Sequence, residues 1–208
     1  MARTHQLDPV DALYRASTTP SIVRVPDLGF LCIDGHGDPN TSAAYAEAVQ
    51  ALYGVSYAAK FTIKKAGGPE YKVSALEGLW WAEDMSSFGT GDKSDWDWTM
   101  MIRQPDAVEA DLIQRLAEEV AARKALPAAR GLRLERFEEG AAAQVLPVGR
   151  YATEAPTIRR LHEFIHEHGV TFDGHVQRHH EIYLRDPRRT APERLRTIIR
   201  QPYLAAAA

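Results

Sequence analysis

A run of imidazole, carboxylate and phenol side chains near the C-terminus, His179-His-Glu-Ile-Tyr-Leu-Arg-Asp-Pro187, is the segment of this sequence best suited to chemistry. Because successive side chains of a β-strand point to opposite faces, His179, Glu181 and Tyr183 would share one face and Ile182 would lie on the other. If other residues enclose the polar face, burial raises the pKa of the Glu181 carboxyl and prepares it for proton transfer. If the face is open, the same residues are simply solvated.

A structural role for Glu181 is the alternative interpretation. The carboxylate could form an ion pair with Arg103 or Arg185, and such a pair needs no cavity. The two interpretations differ in what surrounds position 181, so they depend on which residues could enclose it.

Aromatic residues are the candidates for that enclosure. All four tryptophans lie between Trp80 and Trp98. Since neighbours on a strand point in opposite directions, Trp80 or Trp81 should line a cavity, whereas Trp98 should pack beneath the helices. An aromatic cage binds flat, apolar or cationic ligands by burial, ring stacking and cation–π attraction. The residues predicted to line the cage are Trp80, Trp81, Tyr151, Tyr57, Tyr53, Met101 and His179.

The overall composition excludes several classes of partner. The 208 residues carry a formal net charge of -3 with scattered Lys and Arg, so no nucleic-acid partner is expected. No apolar run is long enough to span a membrane, and the N-terminus does not resemble a signal peptide. The one cysteine, Cys32, excludes an internal disulfide and fits a reducing cytoplasm.

The eight histidines do not have the spacing of a zinc site. His162 and His166 are close together on a predicted helix, but the His-Glu-x-x-His pattern is absent and both rings are expected to be solvated. The sequence also lacks a phosphate-binding glycine motif and a Gly-x-Ser-x-Gly elbow, and Ser86 and Ser87 have no obvious base. No metal and no cofactor are therefore predicted.

The elements that must position these residues follow an α+β pattern. Residues 31–55 and 144–170 each contain a strand, a glycine turn, a helix and Gly-Val. Residues 98–105 also align with residues 180–187, since both segments end in Arg-x-Pro, and this alignment places Met101 on the face of Glu181. The repeats predict two strand–helix–strand–strand (SHS2-type) units with pseudo-two-fold symmetry, in which helices cover one sheet face and the other face forms a concave wall.

The domain boundaries follow from the same pattern. Residues 1–21 are predicted to be a lead-in, followed by one domain over residues 22–204 with halves at about 22–126 and 131–204. In the second half, a hairpin with its turn at residues 138–140 is expected. A last short helix should follow Thr190-x-x-Glu193 and contain Leu195, Ile198 and Ile199.

Five motifs occur in order between about residues 22 and 203. They are Gly35-His-Gly-Asp-Pro-Asn40, Ala51-Leu-Tyr-Gly-Val55, Glu77-Gly-Leu-Trp-Trp81, Asp97-Trp-Thr-Met-Met-Ile102 and His179-His-Glu-Ile-Tyr-Leu-Arg-Asp-Pro-Arg-Arg-Thr-Ala-Pro192. Singly they are weak, but in this order the sequence resembles the GyrI-like small-molecule-binding family. More narrowly, it resembles the stand-alone subfamily of cyclopropanoid cyclopropyl hydrolases.

The resemblance implies a ligand cleft between the two halves with Glu181 at its centre. It also implies hydrolytic ring opening of cyclopropyl-dienone DNA alkylators, which gives self-protection or detoxification without a metal or organic cofactor. Glu181 would orient or deprotonate the attacking water, and Tyr183 or another phenol would stabilise the developing phenolate. The alternative is a binding-only protein that sequesters hydrophobic or cationic aromatic drugs.

Overall fold

The computed structural model describes residues 9–85 and 92–204; Ser86, Ser87, the start of the lead-in and the alanine tail lie outside the described residues. No helix in the described ranges is long and apolar enough to cross a bilayer. The strands are β1 (Ser21–His36), β2 (Leu76–Ala82), β3 (Trp96–Gln104), β4 (Arg133–Val145), β5 (His179–Tyr183) and β6 (Thr197–Pro202). The helices are α1 (Pro9–Ala12), α2 (Ala43–Lys65), α3 (Ala110–Lys124) and α4 (Ala155–Glu167).

The six strands form a closed antiparallel barrel in the order β1-β3-β2-β5-β6-β4. β1 closes the ring because its 16 residues pair with β3 along one edge and with β4 along the other. Closure satisfies the backbone groups that an open sheet would leave exposed at its edges. Each strand therefore has one face toward the inside of the barrel and one toward the helices.

β4 is one continuous strand, so the predicted hairpin at residues 138–140 is wrong. Glu138 and Gly140 both pair with β1, opposite Asp27 and Val25. Pro26 lies between these two partners and has no N–H to donate, and Gly140 adopts a φ of +72° that glycine tolerates. The Glu-Glu-Gly sequence marks a local irregularity within a strand rather than a turn between two.

The predicted last helix is also wrong, because Ile198 and Ile199 lie in strand β6. The residues after Thr190 form only a single 3₁₀ turn at Pro192–Arg194. A short apolar run fits either periodicity, and here both isoleucines are fully buried, one on each face of the strand. β6 fills the place between β5 and β4 that closes the barrel.

The helices cover the outer surface of the barrel. α2 and α3 pack over the sheet of the first half, and Trp98 lies beneath them as predicted, with its ring 5.4 Å from that of Tyr45. α4 packs on β4 and β6 through Leu161 and Ile165. One part of the barrel interior is filled by Phe30, Cys32, Leu79 and Met101.

The α+β class is confirmed, and the chain order contains strand, helix, strand, strand twice, with α3 between the two sets. In this order β5 follows α4 as β2 follows α2. The sequence alignment instead matched β5 with β3, which is the third strand of its set. A common origin and a pseudo-two-fold axis for the halves stay predictions.

Candidate functional site

An open cleft of about 2340 Å³ lies over β2 and β5 on the helix side of the sheet. Residues of α2 line one wall, and residues of α4 with the preceding 3₁₀ turn Tyr151–Thr153 line another. The floor is continuous because β2 and β5 are paired: Glu181 lies opposite Gly78, and His179 opposite Trp80. The cleft floor is thus built where β2 pairs with β5.

Glu181 lies on this floor with both carboxylate oxygens engaged. The Tyr183 hydroxyl donates a hydrogen bond of 2.7 Å to Oε2, and His179 Nε2 lies 3.2 Å from Oε1. The three residues alternate along β5 as the sequence predicts, so one strand face supplies the whole cluster. The Glu181 side chain is 17% exposed, and its partners are these two residues rather than Arg103 or Arg185.

The expected rise in the pKa of Glu181 does not occur. Burial pushes that pKa upward, but the hydrogen bond and charge interaction with His179 and the hydrogen bond from Tyr183 outweigh it, so the pKa is lowered. Sequence reasoning included the burial but not the partners that the strand itself provides. Glu181 is consequently an ionised carboxylate that is held in a fixed orientation. The pKa of Tyr183 is raised well above its ordinary value by burial and by the Glu181 charge.

Aromatic rings line the same cleft as this carboxylate. Tyr151 packs edge-on against Tyr183, with 6.0 Å between ring centroids, and burial raises the pKa of its phenol to about 12. Tyr53 and Tyr57 stack on each other along α2, and Tyr57 is 46% exposed at the mouth of the cleft. Trp80 is 2% exposed on the floor. Five of the seven residues predicted for the cage line the cleft: Trp80, Tyr151, Tyr57, Tyr53 and His179.

Trp81 and Met101 do not line the cleft. Trp81 points to the opposite face of β2, where the Arg178 guanidinium lies 3.7 Å from its ring centroid. Met101 is 1% exposed inside the barrel, because β3 pairs with β2 in a register that places Met100, not Met101, beside Gly78. An error of one residue in register moves every side chain to the other face, which is the error in the 98–105 alignment.

Among the cleft-lining residues that were not predicted as site residues, four aromatic or ionisable side chains bear on its chemistry. Two of them pack against the Trp80 indole, with ring centroids 6.1 Å away for Tyr45 and 5.8 Å away for Trp96. Tyr45 begins the helical row that continues to Tyr53, so the sequence contained a signal for it. The four residues are Tyr45, Trp96, Glu154 and His162.

His162 lies on the wall of the cleft, so the prediction that its ring is solvated is wrong. The ring centroid is 4.7 Å from that of Phe172, and burial lowers the pKa of the imidazole to about 4. His166, one turn later on α4, is exposed as predicted. His162 and His166 differ in exposure because only His162 faces the cleft.

Glu154 is the most unusual of the four. It lies at the N-terminus of α4, is 6% exposed and forms a side-chain hydrogen bond with Thr197. Burial and the Glu181 charge raise its pKa to about 8, against smaller opposing effects of Thr197 and Lys93. At neutral pH the cleft therefore combines the ionised Glu181 with a largely protonated Glu154. Pro156 marks the helix start in the sequence, but no local pattern brings that start to Glu181.

The inner face of the same strand carries a second polar cluster. His180 is 1% exposed, and its two ring nitrogens lie 2.8 Å from Glu139 Oε1 and 3.1 Å from Glu77 Oε2. Arg200 donates to Glu139 at 2.9 Å, and the Tyr14 hydroxyl donates to Glu77 at 2.7 Å. Despite the cost of burial, the two carboxylates raise the pKa of His180 to about 9. These buried groups are hydrogen-bonded to one another on the side of the sheet away from the cleft floor.

The described residues contain no group of three or more His, Cys, Asp or Glu side chains arranged to hold a metal ion. Chemically, the cleft offers an oriented carboxylate, a protonated carboxyl and a set of phenols within an aromatic enclosure. Such a site can hold a flat or cationic molecule, orient a water molecule and exchange protons with both.

Three solved structures are similar to this chain. An uncharacterized conserved protein from Listeria innocua is 35% identical, with a TM-score of 0.86 over 93% of this chain and 96% of that one. A protein from Listeria innocua named a hydrolase is 33% identical, with a TM-score of 0.81 over the same shares. The EcmrR C-terminal domain is 9% identical, with a TM-score of 0.56 over 89% of this chain and 97% of that one, and shares the fold alone.

No curated protein matches the chain significantly. A family model for the GyrI-like small molecule binding domain matches residues 18–204, which include every strand and the aromatic and acidic cleft residues described above. The chain belongs to the GyrI-like family of small-molecule-binding domains.

Proposed function

We propose that this protein is a hydrolase that opens the cyclopropane ring of cyclopropyl-dienone DNA alkylators by adding water. The observation that carries the proposal is an ionised carboxylate, Glu181, fixed by two hydrogen bonds on the floor of an aromatic cleft. Two similar Listeria innocua structures, 33% and 34% identical, are named hydrolases, which supports a hydrolytic reaction in general terms. In the cell the reaction would give self-protection or detoxification.

The aromatic enclosure fits the shape of such a substrate. A dienone fused to aromatic rings is flat and apolar, and stacking on the exposed Tyr151 ring above the floor formed by Trp80 would hold it above β5. Holding the cyclopropyl carbon next to a bound water removes much of the entropic cost of bringing the two together. The enclosure would also limit access by other nucleophiles.

Glu181 would accept a hydrogen bond from the attacking water and align it with the cyclopropyl carbon. Because the pKa of Glu181 is lowered by His179 and Tyr183, it is a weak base, and it takes the proton only after the new C–O bond has largely formed. In the same step the ring C–C bond breaks and its electron pair moves to the dienone oxygen, which becomes a phenol oxygen.

The test uses a synthetic spiro-cyclopropyl dienone in isotope-labelled water, with products followed by mass spectrometry. We expect one labelled oxygen on the former cyclopropyl carbon and turnover over many cycles. Glu181→Gln should keep binding within a few-fold and slow turnover by roughly 100-fold or more. Glu193→Gln, an exposed carboxylate outside the cleft, is the matched control and should behave like the wild type. Binding without a water adduct would reject catalysis.

Sequestration of cationic aromatic drugs is the second candidate function. It is favoured by the lowered pKa of Glu181, because a carboxylate that stays ionised among rings attracts a cation without needing any proton transfer. Isothermal titration with an aromatic cation and, separately, with a neutral dienone separates the two functions. Sequestration predicts tight binding that Glu181→Gln weakens at least tenfold, whereas the hydrolase predicts little change for a neutral dienone.

A further inference from the structure

The second carboxyl of the cleft, Glu154, comes from a different element than Glu181. Glu154 precedes α4, whereas Glu181 projects from β5, and both side chains line the same cleft. The hydrogen-bond partner of Glu154 is Thr197, which lies directly opposite Tyr183 in the β5–β6 pairing. The fold therefore brings the N-terminal end of α4 to the cross-strand neighbour of Tyr183, the residue that donates a hydrogen bond to Glu181.

Within residues 9–85 and 92–204, no salt bridge offsets the burial of the Glu154 carboxyl. At 6% exposure the carboxyl has lost most of its water, and the charge of Glu181 repels its ionised form. Lys93 opposes this effect only weakly, and Thr197 supplies a single neutral hydrogen bond. These surroundings favour the protonated form and give Glu154 a pKa of about 8, while the pKa of Glu181 is lowered. Two carboxyls whose pKa values are driven apart can serve as acid and base in one reaction.

The phenols are poorer proton donors than Glu154. The Tyr183 hydroxyl already donates to Glu181 at 2.7 Å, and burial with that charge raises its pKa well above the ordinary value. The pKa of Tyr151 is raised to about 12 by burial and by the same charge. Glu154 is therefore a better source of a proton at neutral pH than either ring.

We propose that Glu154 is the proton donor of the ring-opening reaction, delivering its proton to the dienone oxygen as that oxygen gains negative charge. This inference rests on the proposed function. The water oxygen bonds to the cyclopropyl carbon, the ring C–C bond breaks, and the electron pair reaches the dienone oxygen, which takes the proton of Glu154. Glu181 receives the proton released by the water. Return of a proton from Glu181 to Glu154 through solvent completes the cycle, with the net addition of one water molecule.

The first test is the pH profile of kcat with the spiro-cyclopropyl dienone. Wild-type kcat should fall above about pH 8, as Glu154 loses its proton. Glu154→Gln should lower kcat roughly 100-fold, leave KM within about threefold and remove this alkaline limb. Glu163→Gln changes an exposed carboxyl on the same helix and should keep both the rate and the limb. A Glu154→Gln enzyme with an unchanged rate, or with the limb intact, would overturn the inference.

A second test does not depend on turnover. Carbon NMR of protein labelled at the glutamate carboxyls should show one group that titrates near pH 8 in the wild type and is missing from Glu154→Gln. If the wild type adds no water to the dienone, the proposed function fails, and donation to this substrate fails with it. If water is added but Glu154 titrates below pH 6, the hydrolase stands and Glu154 is not its acid.

Discussion

The two faces of β5 carry the same kinds of side chain in opposite electrostatic settings. On the outer face, Glu181 is bonded to His179 and Tyr183 at the floor of an open cleft. On the inner face, His180 lies between two carboxylates inside the closed barrel. Imidazole and carboxylate groups thus interact on both sides of a five-residue strand.

The difference lies in how charge is balanced. Inside the barrel, Glu139 has both His180 and Arg200 as partners, and despite burial these cations lower its pKa to about 2. In the cleft, Glu154 is buried facing another carboxyl and its pKa rises to about 8. Removing one member of a fully paired buried cluster leaves an uncompensated charge and is strongly destabilising, whereas a carboxyl with an incomplete set of partners keeps an exchangeable proton. We therefore expect the inner face to contribute mainly to stability and the outer face to the proposed function.

Removing the inner imidazole should have the largest effect on stability. His180→Ala leaves Glu77 and Glu139 without their shared partner, and we expect the free energy of unfolding to fall by about 3–5 kcal/mol. Chemical denaturation monitored by circular dichroism measures this change. His179→Ala on the outer face is the matched comparison, and it should cost only about 1–2 kcal/mol because Tyr183 still bonds Glu181. Equal losses in the two variants would remove the distinction between the faces.

Alkaline pH should also destabilise the inner cluster. The pKa of His180 is raised from its ordinary value of 6.5 to about 9, so its contribution is complete below pH 6.5 and is lost as pH rises through 9. A shift of this size corresponds to roughly 3 kcal/mol. Urea unfolding at pH 6, 7.5 and 9.5 measures the decline.

The outer face also loses stability as the pH rises, but over a lower range of pH. The pKa of Glu154 rises from 4.5 to about 8 on folding, so its contribution is present below pH 4.5 and is lost as pH rises through 8. Glu154→Gln removes this part and leaves the decline between pH 6.5 and 9 that belongs to His180. If Glu154→Gln were equally stable at pH 6.5 and 9.5, the inner cluster would not be the source of the alkaline loss.

Local sequence patterns correctly predicted which side chains share one face of a single strand or helix. Period-two alternation places His179, Glu181 and Tyr183 on one face, and the four-residue spacing of Tyr53 and Tyr57 places both rings on one side of α2. The pKa of Glu181 was predicted in the wrong direction, although both of its partners lie two residues away on the same strand.

Relations between elements were harder to predict. Met101 was assigned to the wrong face because the pairing register of β3 is set by the closed barrel, which no local pattern encodes. Strand β6 was predicted to be a helix because Ile198 and Ile199 fit both periodicities. The approach of Glu154 to Glu181 depends on how α4 packs on β4 and β6, and no motif in the sequence indicates it.

Substitution of Gly78 is the smallest change that tests the outer face, because the Trp80 indole packs against Gly78. A Cβ at position 78 would come within 2.8 Å of Trp80 Nε1 and 3.0 Å of Met100 Sδ, so Gly78→Ala must displace the indole from the cleft floor. We expect about a tenfold loss of dienone affinity with a stability cost of about 1–3 kcal/mol. Quenching of tryptophan fluorescence on binding measures the affinity.

Gly29→Ala is the control for this prediction. Gly29 also lies in a barrel strand, but a Cβ there would meet only Gln104 O at an ordinary 3.7 Å, so affinity should be unchanged. The inner cluster contains neither glycine, so the alkaline loss of stability should persist in both variants. If Gly29→Ala lost affinity for the dienone, or if Gly78→Ala kept the wild-type affinity, the position of the Trp80 indole against Gly78 would not determine ligand binding.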